Sequence, residues 1–239
     1  MMFSLGISAK ALLMTSNFEM GAGNQYERTL LIKQGLVDLV MDDVSSEVGR
    51  GIDRVLTEEK PNALIINWTH SSRYLFFRPN ASETRRVTDD ELVEVLMGRG
   101  LNSPIESENR TIEFVFLNSC YTEPLCLRLQ NECGIPVVVG WRGIVAGRTA
   151  VKMGYMLLMM LYLGSSYFLA FHDISGQVKK PILGDPSSEH FLAADHLCDP
   201  CMYISFSDFY TEKQFERPGG FRSPLLEVQN NFGLNVLLK

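Results

Sequence analysis

The chain has 239 residues, 46 % of them hydrophobic, which suits one large domain with ample material for a core. A formal net charge of −6 and a pI near 5.3 exclude a sequence-independent nucleic-acid binder, which needs clustered Lys and Arg, and no basic stripe occurs. The opening MMFSLGISAKALLMTS has neither a basic stretch nor an uninterrupted apolar core of signal-peptide length, so the expectation is a cytoplasmic protein whose five cysteines are thiols.

In chain order, Ala11 to Thr15 reads as a short apolar strand. Gly21-Ala22-Gly23-Asn24 has the start of a dinucleotide fingerprint, but Tyr26 stands where its third glycine belongs, so a turn into a helix over Gln25 to Gln34 is the better reading. Leu36 to Met41 reads as a second strand. Ser45 and Ser46 can cap a helix whose apolar positions Val48, Ile52, Val55 and Leu56 recur at helical steps, and Lys60-Pro61-Asn62 ends it. Ala63 to Trp68 is a third strand, with His70 just beyond its carboxyl end. Tyr74 to Phe77 and Arg85 to Val87 flank a Pro79-Asn80 turn and predict a hairpin. Thr88 and Glu91 form a capping box before a helix with Leu92, Val93, Val95 and Leu96 inside. Gly98 to Arg110 reads as a surface loop.

Ile112 to Trp141 organises the chain: a β-branched and aromatic strand ending at Leu117, Cys120 beyond it, a helix, and a strand over Ile135 to Gly140. Pro124 suits the helix's first turn, Thr122 or Glu123 its cap, and Gly134 the position past its end. Met153 to Phe171 holds 19 consecutive uncharged residues, long enough to span a bilayer, yet Gly164-Ser165-Ser166 interrupts it. A buried pair, a long helix over Ala146 to Leu163 and a shorter element over Ser166 to Phe171, fits the pattern better. From Asp173 onward Pro181, Pro186, Pro200 and Pro218 break long periodicity. Alternating strands and helices over the first 171 residues predict an α/β sandwich with a mostly parallel sheet.

Strand ends in such a sheet share one edge, where rigidly held loops meet solvent. His70 and Cys120 both follow apolar strands and can approach each other there, which suits a thiol nucleophile and a histidine general acid. Cys126 and Cys133, seven apart, fall on one helix face as core residues, and His172 reads as structural or exposed. His190, His196, Cys198 and Cys201 contain one Cys-x-x-Cys, but the spacing before it is irregular, so a solvated loop without metal is expected. Of three glycosylation sequons, at Asn67, Asn80 and Asn109, the first lies inside a strand.

PNALIINWTHSS, LFF, VTDDEL, VFLNSCYTE, GIPVVVGWRGIV and the Ala150 to Gly164 helix together resemble, from about Pro61 to His172, the CHAT domain, a caspase-like fold related to separase. The 50 residues from His70 to Cys120 are close to the caspase spacing. The resemblance implies a caspase-like three-layer sandwich, taken to occupy residues 1–173, and the proline-broken 174–239 reads as an irregular extension packed on it. It implies a cysteine endopeptidase with His70 as catalytic histidine, Cys120 as nucleophile, and the backbone amides of Ser71 and Cys120 as the oxyanion hole. Asn118 takes the substrate-binding position, where arginine-specific relatives carry an acid. No metal or organic cofactor is implied; the partners are a protein substrate and an activating or regulatory protein, with no nucleic acid and no membrane. The chain departs from the family at Ser71, which replaces a glycine, and around Gly147 and Arg148, where an acid is usual. A catalytically inactive caspase-like regulatory or protein-binding module is the alternative.

Overall fold

The computed structural model describes residues 11–15, 39–41, 48–67, 69–71, 74–80, 83–178 and 199–204. The expected helix over Gln25 to Gln34, the caps Ser45 and Ser46, and His190, His196 and Cys198 lie outside them.

The apolar runs form the strands of one sheet. These are β1 (Ala11–Thr15), β2 (Leu39–Met41), β3 (Ala63–Asn67), β7 (Phe114–Leu117), β8 (Val137–Trp141) and β9 (Pro200–Ile204), in the order β2-β1-β3-β7-β8-β9. All pairs are parallel except β8 with β9. Successive residues point to opposite faces, so each buried strand feeds two cores. Leu13, Ile65, Phe116 and Val139 face one side, where α4 (Gly147–Tyr162) and α5 (Tyr167–Val178) pack. Leu12, Leu64, Val115 and Val138 face the other, against α1 (Val48–Glu59), α2 (Asp89–Leu96) and α3 (Glu123–Asn131). This is the expected three-layer α/β sandwich. Burying each large apolar side chain contributes about 1.5–3 kcal/mol.

A second sheet of three antiparallel strands, β4 (Thr69–Ser71), β5 (Tyr74–Asn80) and β6 (Glu83–Thr88), follows β3. His70 therefore belongs to a strand, opposite Leu75, rather than to the loop preceding a hairpin. Thr88 caps α2 through the full capping box with Glu91. Lys60 at φ 47° ends α1 and Gly134 at φ 70° follows α3; the latter is a left-handed position that favours glycine.

Three expectations change. The helix after Gly164 runs to Val178, well past Phe171, because Ala170, Ile174 and Val178 continue its buried stripe. A domain boundary after residue 173 would cut it. Residues Pro200–Ile204 are not irregular: β9 is the antiparallel edge strand of the main sheet, paired with all of β8. Thr122 stands at the start of α3 without a capping hydrogen bond, since its hydroxyl is used elsewhere. Among the described residues no helix is long and apolar enough to cross a membrane.

Candidate active site

The site is built at the carboxyl edge of β3, β7 and β8. Ile66 of β3 is in register with Leu117 of β7, and Asn118 N–H extends the ladder by donating to the Ile66 carbonyl at 2.9 Å. The segments that carry His70 and Cys120 thus leave two neighbouring strands side by side. The His70 side chain lies outside the described residues, so the relationship is one of backbone placement.

After Leu117 the chain turns sharply. Tyr121 has φ 55°, a conformation uncommon for a bulky residue, and the residue is 49 % exposed. Two straps hold the turn. Tyr121 N–H donates to the Gly143 carbonyl at 3.0 Å, and the Thr122 hydroxyl accepts from Trp141 N–H at 3.0 Å while donating to the Ser119 carbonyl at 3.1 Å. The fully buried Thr122 therefore ties the end of β7 to the end of β8, which explains its missing cap.

Cys120 is partly buried beneath the loop between β8 and α4. Val145 N–H donates to Cys120 Sγ at 3.3 Å, and the Val145 carbonyl lies 3.7 Å from the same sulfur. Because α4 begins two residues beyond Val145, the positive end of its dipole lies on the side of the thiol.

Asn118 is buried, and both ends of its amide are used within the protein: Oδ1 accepts from Trp141 Nε1 at 3.2 Å and Nδ2 donates to the Ala150 carbonyl at 3.1 Å. The Asn118 side chain, expected at a substrate contact, is thus engaged inside the protein. Asn118 positions Trp141 and α4 behind the Cys120 turn. The remaining polar groups pin β9: Glu123 accepts from Arg142 Nε at 2.8 Å and from the Tyr203 hydroxyl, and Arg142 also pairs with Asp199 at 3.1 Å. Tyr203 and then Arg142 hold the Glu123 carboxyl below its ordinary range. Ser71 lies in β4 opposite Tyr74.

Of the other candidates, Cys126 and Cys133 are buried as expected, and His172 is exposed beside Asp173. Cys201 is a buried β9 residue rather than part of a solvated loop. Among the described residues no group of three His, Cys, Asp or Glu could hold a metal ion. Sequence reasoning missed Val145, Thr122 and the Asn118–Trp141 bond. Only the apolar strand flanking each of them signals that they share an edge.

The sequence matches no family model and no curated protein. Among solved structures, a secreted C11 cysteine protease from Bacteroides thetaiotaomicron bound to an irreversible peptide inhibitor aligns over 71 % of this chain and 59 % of its own, with 11 % identity and a TM-score of 0.47. A second structure of a secreted C11 cysteine protease from that organism, called iotapain, aligns over 70 % and 60 %, with 10 % identity and a TM-score of 0.42. The chain spans about three fifths of the length of these two proteins. At such identity, the residues of one chain say nothing about those of the other.

Proposed function

We propose that this chain is a caspase-like cysteine endopeptidase acting on protein substrates through Cys120 and His70. The observation that supports the reading is the departure of both residues from adjacent, register-matched parallel strands, with Cys120 held in a strapped, strained turn at the sheet edge. The Cys120 thiolate attacks the scissile carbonyl carbon, and the carbonyl oxygen becomes an oxyanion received by backbone N–H groups, those of Cys120 and Ser71 by resemblance. His70 gives its proton to the leaving amine as the C–N bond breaks. Water, deprotonated by His70, then hydrolyses the thioester and regenerates the thiol. No cofactor takes part. Activation by a partner protein and a cytoplasmic setting belong to the same proposal.

A second reading, a caspase-like binding module without activity, is favoured by Ser71. Its place opposite Tyr74 in the β4–β5 ladder and its side chain both limit how the adjoining backbone can turn toward an oxyanion.

Limiting alkylation at neutral pH, read by intact mass and peptide mapping, separates the two. The peptidase reading expects modification confined to Cys120 and slowed in His70→Ala. Labelling of other cysteines in preference to Cys120 would sink it and favour the binding module.

A further inference from the structure

Away from the Cys120 thiol, the fold brings two buried cysteines together. Cys126 on α3 and Cys201 on β9 are 75 residues apart in sequence, and both are closed to solvent. Gly140 explains why they meet. A methyl group there would stand 2.5 Å from Cys126 Sγ, so α3 is seated on the bare α-carbon of β8. Cys201 is the cross-strand partner of Gly140. Along β9, Met202 and Ile204 pack toward α4 and α5, whereas Tyr203 packs toward α3. Cys201, two residues before Tyr203, shares its face, which is the one where the Cys126 sulfur lies. Neither thiol is in a disulfide. Burial, and next the Cys201 thiol, push the Cys126 thiol well above its ordinary range.

We propose that Cys126 and Cys201 form a redox site, a dithiol that low-molecular-weight disulfides such as oxidised glutathione convert into a covalent staple between α3 and β9. One protein thiolate attacks a sulfur of the glutathione disulfide, giving a mixed disulfide and releasing one glutathione thiolate. The second protein thiolate attacks the protein sulfur of that mixed disulfide and releases the other. Two protein thiols are oxidised, one glutathione disulfide is reduced to two thiols, and both protein protons end on glutathione. Exchange needs the edge strand to open locally, since both sulfurs are buried. Without the staple, β9 is held by its pairing with β8 and by the Glu123, Arg142, Asp199 and Tyr203 cluster. The Thr122 hydroxyl would lie 2.6 Å from the same methyl position at Gly140 as Cys126 Sγ, so the staple also clamps the base of the Cys120 turn.

The test uses the full chain carrying Cys120→Ala, which makes the result independent of the peptidase reading. The reduced protein is incubated, both folded and during refolding, in glutathione buffers of graded oxidised fraction, then trapped with alkylating reagent and mapped without reduction. A Cys126–Cys201 disulfide is expected, with Cys133 left as thiol, and the oxidised form should melt roughly 5 °C or more above the reduced form. Dithiothreitol should reverse the gain, and Cys126→Ser or Cys201→Ser should abolish it. Recovery of both cysteines as thiols or mixed disulfides across the whole range, or their pairing with other cysteines, would overturn the proposal. So would a disulfide that leaves the melting temperature unchanged.

Discussion

The main-chain N–H of Trp141 donates to the Thr122 hydroxyl at 3.0 Å, joining residues 19 apart in sequence at the ends of two parallel strands. The bond closes the carboxyl edge of the sheet directly behind the Cys120 turn. Where a buried amide has a side chain as its partner, that side chain cannot lose its acceptor without leaving the donor bare.

Thr122→Val keeps the shape and removes the acceptor. It should lower stability by about 1–3 kcal/mol, because Trp141 N–H is then buried without a partner. Thr122→Ser should retain most of the wild-type value. Urea unfolding measures both, and a valine variant as stable as wild type would show that the strap contributes nothing.

Gly140→Ala should destabilise by about 1–3 kcal/mol, since the new methyl meets Cys126 Sγ at 2.5 Å and Thr122 Oγ1 at 2.6 Å. Removing the sulfur with Cys126→Ala in the same chain should recover part of that loss. The double variant would then be more stable than the sum of the single effects, a non-additivity that equilibrium unfolding detects.

Asn118→Leu should cost about 1–3 kcal/mol by leaving the buried Trp141 indole N–H without its acceptor. In a Trp141→Phe background the same substitution should cost less, since the donor has gone. Equal costs in the two backgrounds would separate Asn118 from Trp141.

Glu113 supplies a pH dependence. It is buried just before β7 and accepts from the Tyr167 hydroxyl; burial raises its pKa to about 7 against an ordinary 4.5, and the Tyr167 bond offsets only part of that. The folded state therefore holds a proton that the unfolded chain releases first. The stability tied to this proton is fully present below about pH 4.5 and is lost as the pH rises through about 7. The loss is on the order of 3 kcal/mol. Glu113→Gln should flatten the stability profile between these limits, and an unchanged slope in unfolding experiments would show that Glu113 does not titrate there.

Much of the fold is legible in the sequence. The runs ALLM, ALIIN, FVFL and VVVGW are buried on both faces, a condition that only a sheet with helices on each side provides, so their composition implies the sandwich. The capping box at Thr88 and the glycine at 134 mark helix ends through local backbone chemistry. β9 was not legible: PCMYI carries a proline and a single turn of alternation, and it becomes a strand only because β8 offers it a free edge.

The site divides in the same way. Sequence alone determined that His70 and Cys120 follow apolar strands, because strand ends are set by local pattern. It could not determine that those strands are neighbours in register, that Val145 N–H is directed at the Cys120 sulfur, or that Asn118 faces inward to Trp141 and Ala150. Nor could it show that Cys126, seated against Gly140, shares a sheet face with Cys201. Each of these depends on strand order and on how closely α3 and α4 approach the sheet. Hydrogen bonds and thiol contacts reach only a few ångströms, so which residues make them was decided by the tertiary structure.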